Sequence, residues 1–334
     1  MQDAHVTLAH GNGGRFMREL IEQIFVRHLG NPELDVDADA VAIALGDGEV
    51  MVTTDAFTVQ PLEFPGGNIG SLAVHGIVND LAVSGATPIY LTLSAIIEEG
   101  LAVAQLERIV TALGRAARAA NVRVVAGDTK VVRRGEAAGL YLSGAGVGIR
   151  ARHHRLALDA VRAGDQVLVS GPVGDHGAAV LLAREEFGLM GHLESDSASV
   201  LSLAQALLAV PGLRFMRDPT RGGLATVMCE IARATRLGLK LDQAAIPVRP
   251  QVQSVCEMLG YDPLYLACEG RVVAIVAAAD APRALAVLRA LPQGEHAALV
   301  GVTSAAHARV VLTTPLGGER HLEELEDDPL PRIC

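Results

Sequence analysis

No run of apolar residues in this chain is long enough to cross a bilayer, which excludes a helical membrane span. Basic charge is not in surplus: 28 Lys and Arg stand against 38 Asp and Glu, a formal net charge of −10, so neither nucleic acid nor an anionic membrane is an expected partner. The opening MQDAHVTLAHGNGG has an acid near its start and no apolar core, and reads as neither signal nor transit peptide; a cytoplasmic location is expected. Cysteine is scarce. Cys229, Cys256, Cys268 and Cys334 lie far apart with no CxxC pair, against both a disulfide framework and a structural zinc site. The first three sit in apolar segments and read as small buried hydrophobes, whereas Cys334 ends the chain, where a prenylation box would need it fourth from last. HGNGG, FPGGNIG and GAGVG are rich in glycine, but no GK[ST] follows and the dinucleotide spacing is missing, so P-loop and Rossmann readings fail.

What is present is α/β patterning over 334 residues, half of them hydrophobic, enough for two packed domains. Ala40 to Asp55 reads as strand, Asp-Gly hairpin, strand, with Asp55 closing the second strand. Val74, Ile77, Val78 and Leu81 repeat at helical spacing between a Gly-rich entrance and a Gly-Ala-Thr-Pro exit, which puts His75 and Asn79 on one face. PIYLTLSAII reads as a buried strand, 106–117 as an amphipathic helix, VRVVAGD and GLYLSGAGVGI as strands. The pattern weakens around residues 150–160, and a second α/β unit follows. After Thr314 the chain turns polar, and Pro329 and Pro331 predict an extended arm from Gly318 that spans roughly 50 Å at full stretch.

Acids recur at strand ends and helix mouths: Asp55 after VMVTT, Asp80 in VND, Asp128 in AGDTK, Asp218 in RDPTRGG. Beside Gly, Thr or Asn, such acids can supply oxygen ligands for Mg²⁺ and leave backbone amides for phosphate, which suits a magnesium–nucleotide site; each also reads as a helix cap or turn residue. Lys130, and Glu269 in ACEGR, also read as surface charges, and His153 and His154 as solvated linker residues.

FPGGNIGSLAVHGIVNDLAVSGATPIYL, AGDTK, DPTRGGLA and the terminal PRIC, in that order, resemble the HypE family of hydrogenase maturation proteins, the carbamoyl dehydratases of [NiFe]-hydrogenase assembly. The first three motifs are also similar to the wider aminoimidazole ribonucleotide synthetase and selenophosphate synthetase superfamily; the PRIC ending points to HypE. The chain departs from the family pattern at Asn12, Ile77 and Cys268, where Ser, Thr and Asn are expected.

The resemblance implies a two-domain PurM-like ATP-binding fold, α/β in class: an N-terminal segment with its Gly-rich loop (1–36), an N-terminal ATP-binding domain (37–150) whose sheet pairs in a homodimer, a C-terminal domain (151–313) and a tail (314–334). It implies that a carbamoyltransferase, HypF, loads a carbamoyl group onto Cys334, that ATP then activates its oxygen for loss as phosphate, and that the cyanide left on sulfur passes to iron held by HypC and HypD. Asp55, Asp80 and Asp218 would hold Mg²⁺; Gly66, Gly67, Asn79, Gly127, Asp128 and Thr129 would join them around ATP. Bases are required for the two N–H protons, and Lys130, Glu269 and His75 are the candidates. Lys130 can act as a base only where burial or a neighbouring cation lowers its pKa, and otherwise clamps phosphate. Arg332 either helps ionise the Cys334 thiol or docks the tail on a carboxylate. Two other readings stay open: a nucleotide-switched protein whose tail cysteine binds a metal or partner, and a small-molecule kinase of the selenophosphate synthetase type. The second lacks a reactive Cys/Lys pair near the N-terminus.

Overall fold

A computed structural model describes residues 3–12, 15–36, 38, 40–184 and 192–325; Arg332 and Cys334 lie outside the described residues. The first lobe is a four-stranded sheet of β1 (Glu49–Phe57), β2 (Ala86–Glu98), β3 (Arg123–Val132) and β4 (Leu140–Arg150), in the order β1-β4-β2-β3. Only the β2–β3 pair is parallel, joined through α2 (Val103–Ala119). One face of this sheet carries α1 (Ile69–Val83) and α2. The other is bare, leaving Val50, Val52 and Ile96 exposed.

α1 packs flat because β4 has no side chains beneath it. A Cβ on Gly144 would stand 2.7 Å from Ile77, and one on Gly146 2.4 Å from Ile77 and 2.9 Å from Leu81. The GAGVG run is thus a strand with a groove for a helix, and the methyls of Ile77 fill that groove. The helix starts where Asn68 accepts hydrogen bonds from the amides of Gly70 and Ser71 while Ser71 answers the Asn68 amide, a capping box. Twelve of its 15 residues are buried, because its C-terminal end also packs, through Ala82 and Val83, on the second lobe.

That lobe is a seven-stranded sheet built from β5 (Gln166–Val169), β6 (Leu213–Arg217), β7 (Gly238–Asp242), β8 (Val273–Val276), β9 (Ala298–Ser304), β10 (Val310–Thr313) and β11 (Glu319–Leu322), ordered β11-β10-β7-β9-β5-β8-β6. Leu168, Met216 and Ala274 face α4 (Leu201–Leu208) and α7 (Ala281–Arg289); Val167, Val169 and Ile275 face α5 (Gly223–Thr235). α3 (Asp175–Ala183) and α6 (Pro250–Leu259) join the core of the first lobe. No described helix is long and apolar enough to cross a membrane.

Three expectations need correction. The hairpin of Ala40–Asp55 does not form: 40–48 is irregular, and β1 takes its ladder from β4 instead. A two-residue hairpin turn needs a left-handed backbone at Asp47, which is absent, and Gly48 is committed to passing the carbonyl of Arg150, 2.7 Å from where a Cβ would sit. Asp128, Thr129 and Lys130 do not end a strand but lie within β3, which continues to Val132 along β2. The arm does not begin at Gly318, since Glu319–Leu322 pairs with β10 as the edge strand β11.

Candidate functional site

Four acids from four elements meet between the lobes. Asp55 stands on β1 opposite Gly144, with its carboxylate oxygen 3.5 Å from where a Cβ on Gly76 of α1 would be; the space left by that glycine is taken by the Phe57 ring, 2.8 Å from the same point. Asp80, one turn further along α1, accepts a 2.6 Å hydrogen bond from the Thr53 hydroxyl. Asp218 follows β6 directly, and Glu269 precedes β8. The last two are brought side by side by the DPTRGG turn. Gly223, at φ 61°, leaves no space for a side chain against the carbonyls of Leu264 and Leu266, and the Cys268 amide donates to the Pro219 carbonyl at 3.0 Å. The departure at Cys268 is absorbed locally: its sulfur accepts the Gly174 amide at 3.2 Å.

The electrostatics of this quartet are strained. Burial pushes Asp218 up to about 7, with the Asp80 charge adding to it. Glu269 is lifted well above the usual carboxylate range, first by burial and then by Asp218, and its Oε1 is buried with no hydrogen-bond partner. Asp55 keeps solvent access, yet desolvation by surrounding protein raises it, as does Asp80; the Ala56 amide and the Arg221 charge offset only part of this. Carboxylates that raise one another and leave an oxygen unpartnered fit a cation. Among the described residues no three His, Cys, Asp or Glu side chains converge tightly enough to form a ready-made metal centre, so a cation here would need further oxygens, of the kind phosphate supplies.

The other predicted residues are distributed as follows. His75 faces the loop before α4, its Nδ1 3.0 Å from the Ser197 hydroxyl, and burial lowers it to about 4, so the ring is neutral near pH 7. Asn79 spends its amide on holding the lobes together: Nδ2 donates to the carbonyls of Ala198 and Glu269, and Oδ1 accepts from the Val200 amide. Gly66, at φ 91°, lies against the Ser195 backbone, and Gly67 against Phe64 and Ser71. Gly127, Asp128 and Thr129 line a separate cavity of about 280 Å³, walled by Phe25 and Leu29 of the N-terminal helical run. Asp128 and Lys130 are exposed on the bare face of the first sheet, away from the quartet, so the burial that a base role for Lys130 calls for is absent from the single chain. His153 and His154 lie in the connection between the sheets, their rings 4.2 Å apart and tilted by 48°. Sequence reasoning missed Arg221, although it stands inside the quoted DPTRGG, and Asp196, which is hidden in a Ser-rich stretch.

Two lobes of this design, with acids gathered where they meet, define a class. Residues 37–150 match the N-terminal domain, and residues 162–313 the C-terminal domain, of the AIR synthase related proteins. Within that class the chain belongs to the carbamoyl dehydratase HypE family. It is 46% identical over 336 residues to the HypE of Azotobacter vinelandii, covering 100% of this chain and 98% of that one, and 43% identical to the HypE of Escherichia coli K12, covering 99% of each. A solved HypE in complex with ATP superposes with a TM-score of 0.93 at 44% identity over 98% of this chain and 99% of that one. HypE from a HypE–HypF complex does so at 0.80 and 39% identity, over 92% and 99%. Thiamine monophosphate kinase from Aquifex aeolicus, at 17% identity and 0.61, shares the fold alone.

Proposed function

We propose that the chain dehydrates a carbamoyl group carried on its own Cys334, at the cost of ATP, and so makes the cyanide ligand for the iron of [NiFe]-hydrogenase. The observation that carries this reading is the quartet itself, four carboxylates pressed together in a chain similar over its whole length to carbamoyl dehydratases. The likeness to a HypE bound to ATP supports nucleotide binding between the lobes.

The chemistry balances. The amide oxygen of S–C(=O)–NH₂ attacks the γ-phosphorus, ADP leaves, and one N–H proton passes to a base; the C–O bond then breaks with phosphate as leaving group, the second proton departs, and S–C≡N remains. Asp55, Asp80 and Asp218 would hold Mg²⁺, which when bound neutralises charge on the transferring phosphoryl group. Glu269, raised by its surroundings, is in its ionised form the stronger proton acceptor; His75, neutral and held by Ser197, is the second. Asn79 positions Glu269 through its carbonyl. The bare sheet face with its exposed valines supports a homodimer paired across it, and Lys130 and Asp128 then act from that face, as a phosphate clamp toward the partner copy. HypF as the source of the carbamoyl group is supported by the likeness to HypE in a HypE–HypF complex; HypC and HypD as acceptors rest on family membership. The cytoplasm is the proposed location.

Weighing the intact chain tests this. Protein carbamoylated on Cys334 and given Mg-ATP should lose the mass of one water while ATP is cleaved. An unchanged mass with ATP-dependent partner binding would instead favour the nucleotide switch, and phosphorylation of an added small molecule would favour the kinase reading.

A further inference from the structure

Beside the quartet lies a second polar chamber of about 310 Å³, lined by Asp175, His192, Glu194, Asp196, Arg249 and Arg271. Arg249 donates to Asp175 Oδ2 at 2.8 Å and Arg271 stands 3.3 Å from the same oxygen. Both arginines therefore converge on Oδ2. Oδ1 of Asp175, in a side chain 2% exposed, is buried without a hydrogen-bond partner, whereas Asp196, 1% exposed, has Arg271 Nε 3.3 Å from its Oδ2 as an ion-pair partner and accepts the Glu269 amide on its Oδ1. One buried carboxylate oxygen of this lining, Oδ1 of Asp175, is left without a partner. Asp175, Glu194 and Asp196 share the lining with Arg249, Arg271 and His192, and what the free oxygen lacks is an N–H donor, of the kind a guanidinium supplies.

The described residues end close by. Tyr265 donates to the Glu323 carbonyl at 2.8 Å and Arg233 pairs with Glu324, so the last described residues run beside the loop that reaches Glu269 four residues on and Arg271 six residues on. Nine residues, EDDPLPRIC, follow Leu325, with a reach of roughly 30 Å. They hold a single cation side chain, Arg332. We propose that this chamber is the socket for Arg332: its guanidinium donates to the free Oδ1 of Asp175, and Cys334, two residues or about 7 Å further on, is thereby presented to Glu269, whose amide is held by Asp196. Arg332 is on this account a positioning residue, and the account rests on the reading that Cys334 carries the reacting group.

The test uses the uncarbamoylated full chain and no ATP, so it stands apart from the dehydratase assay. Labelling of Cys334 by a maleimide is timed by the mass of the C-terminal peptide. Arg332→Gln and Asp175→Asn should each speed labelling about ten-fold, and the double variant no more than either one, because both remove the same pair. Millimolar methylguanidinium should speed labelling of the native chain and leave Arg332→Gln unchanged, an arm that remains informative even if Asp175→Asn does not fold. Labelling of Arg332→Gln at the native rate, or effects of the two substitutions that multiply, would overturn the proposal. A socket that works while carbamoylated protein fails to lose water would instead retire the dehydratase reading.

Discussion

The hydroxyl of Thr53 on β1 donates to Asp80 on α1 across 2.6 Å, tying the edge strand to the buried helix at the point where the acids meet. Asp80→Ala should abolish ATP cleavage, by about a thousand-fold or more, because the transferring phosphoryl group loses a charge partner's ligand. Cys334 should still accept a carbamoyl group, as mass spectrometry would report. Thr53→Val keeps the carboxylate but frees its orientation, and a loss of about ten-fold in ATP cleavage is expected, the worth of one charge-assisted hydrogen bond. Retained ATP cleavage in Asp80→Ala would remove that residue from the site.

Asp218 gives the nucleotide-free protein a pH signature. Its carboxyl, near 3.8 in the unfolded chain, is raised to about 7 in the fold, so folding takes up a proton between those values. The stability it contributes is present below about pH 4 and is lost as the pH rises toward 7, by about 4 kcal/mol at most. Urea unfolding of Asp218→Asn should lack this component, and the difference from the native chain should grow across that interval. Magnesium titrated near pH 6 should release protons, seen as a heat that varies with the buffer's ionisation enthalpy; a heat independent of buffer would separate Asp218 from the cation.

Asn79 joins the lobes through three hydrogen bonds to backbone groups of Ala198, Val200 and Glu269. Asn79→Ala strands those groups in a buried contact and should cost about 2–3 kcal/mol in denaturant unfolding. Because Glu269 hangs on the same clip, dehydration should fall further than nucleotide affinity does. Equal losses in both would make Asn79 a direct nucleotide contact.

Gly146→Ala places a methyl 2.4 Å from Ile77 and 2.9 Å from Leu81, and should destabilise by about 1–3 kcal/mol. The double variant Gly146→Ala/Ile77→Val should recover part of that loss in a thermal melt. No recovery would mean that the strand, not the helix above it, resists the methyl.

The parts of this structure legible in the sequence are those where one local signal sufficed. The periodicity of Val74, Ile77, Val78 and Leu81, with glycines before and Gly-Ala-Thr-Pro after, located α1, and an acid placed after an apolar strand located Asp218; Asp55, expected to close its strand, lies within β1, whose ladder runs on to Phe57. The chain was less legible where partners decide. β6, β7 and β11 are short and take their place from neighbouring strands, so LRFMR, GLKLD and ERHL carry little pattern of their own. α6 did leave a mark, Pro250 at its first turn and Gly260 in a left-handed backbone at its end, which went unread. Asp196 gave no warning at all, since ESDSAS looks like any polar connection until Arg271 and the Glu269 amide are packed against it. Asp128 and Lys130 were read at a strand end, where an acid commonly meets a ligand, but the parallel pairing with β2 carries the strand past them.

The strand β11 fixes the root of the tail to the lobe that carries Glu269. A reacting group on a nine-residue leash is held at an effective concentration on the order of millimolar with no recognition pocket of its own. The carbamoyl group is too small to bind with useful affinity, and this arrangement spares it the need: selection is made once, by whatever loads Cys334, and the catalytic lobe can treat whatever arrives on the leash as its substrate.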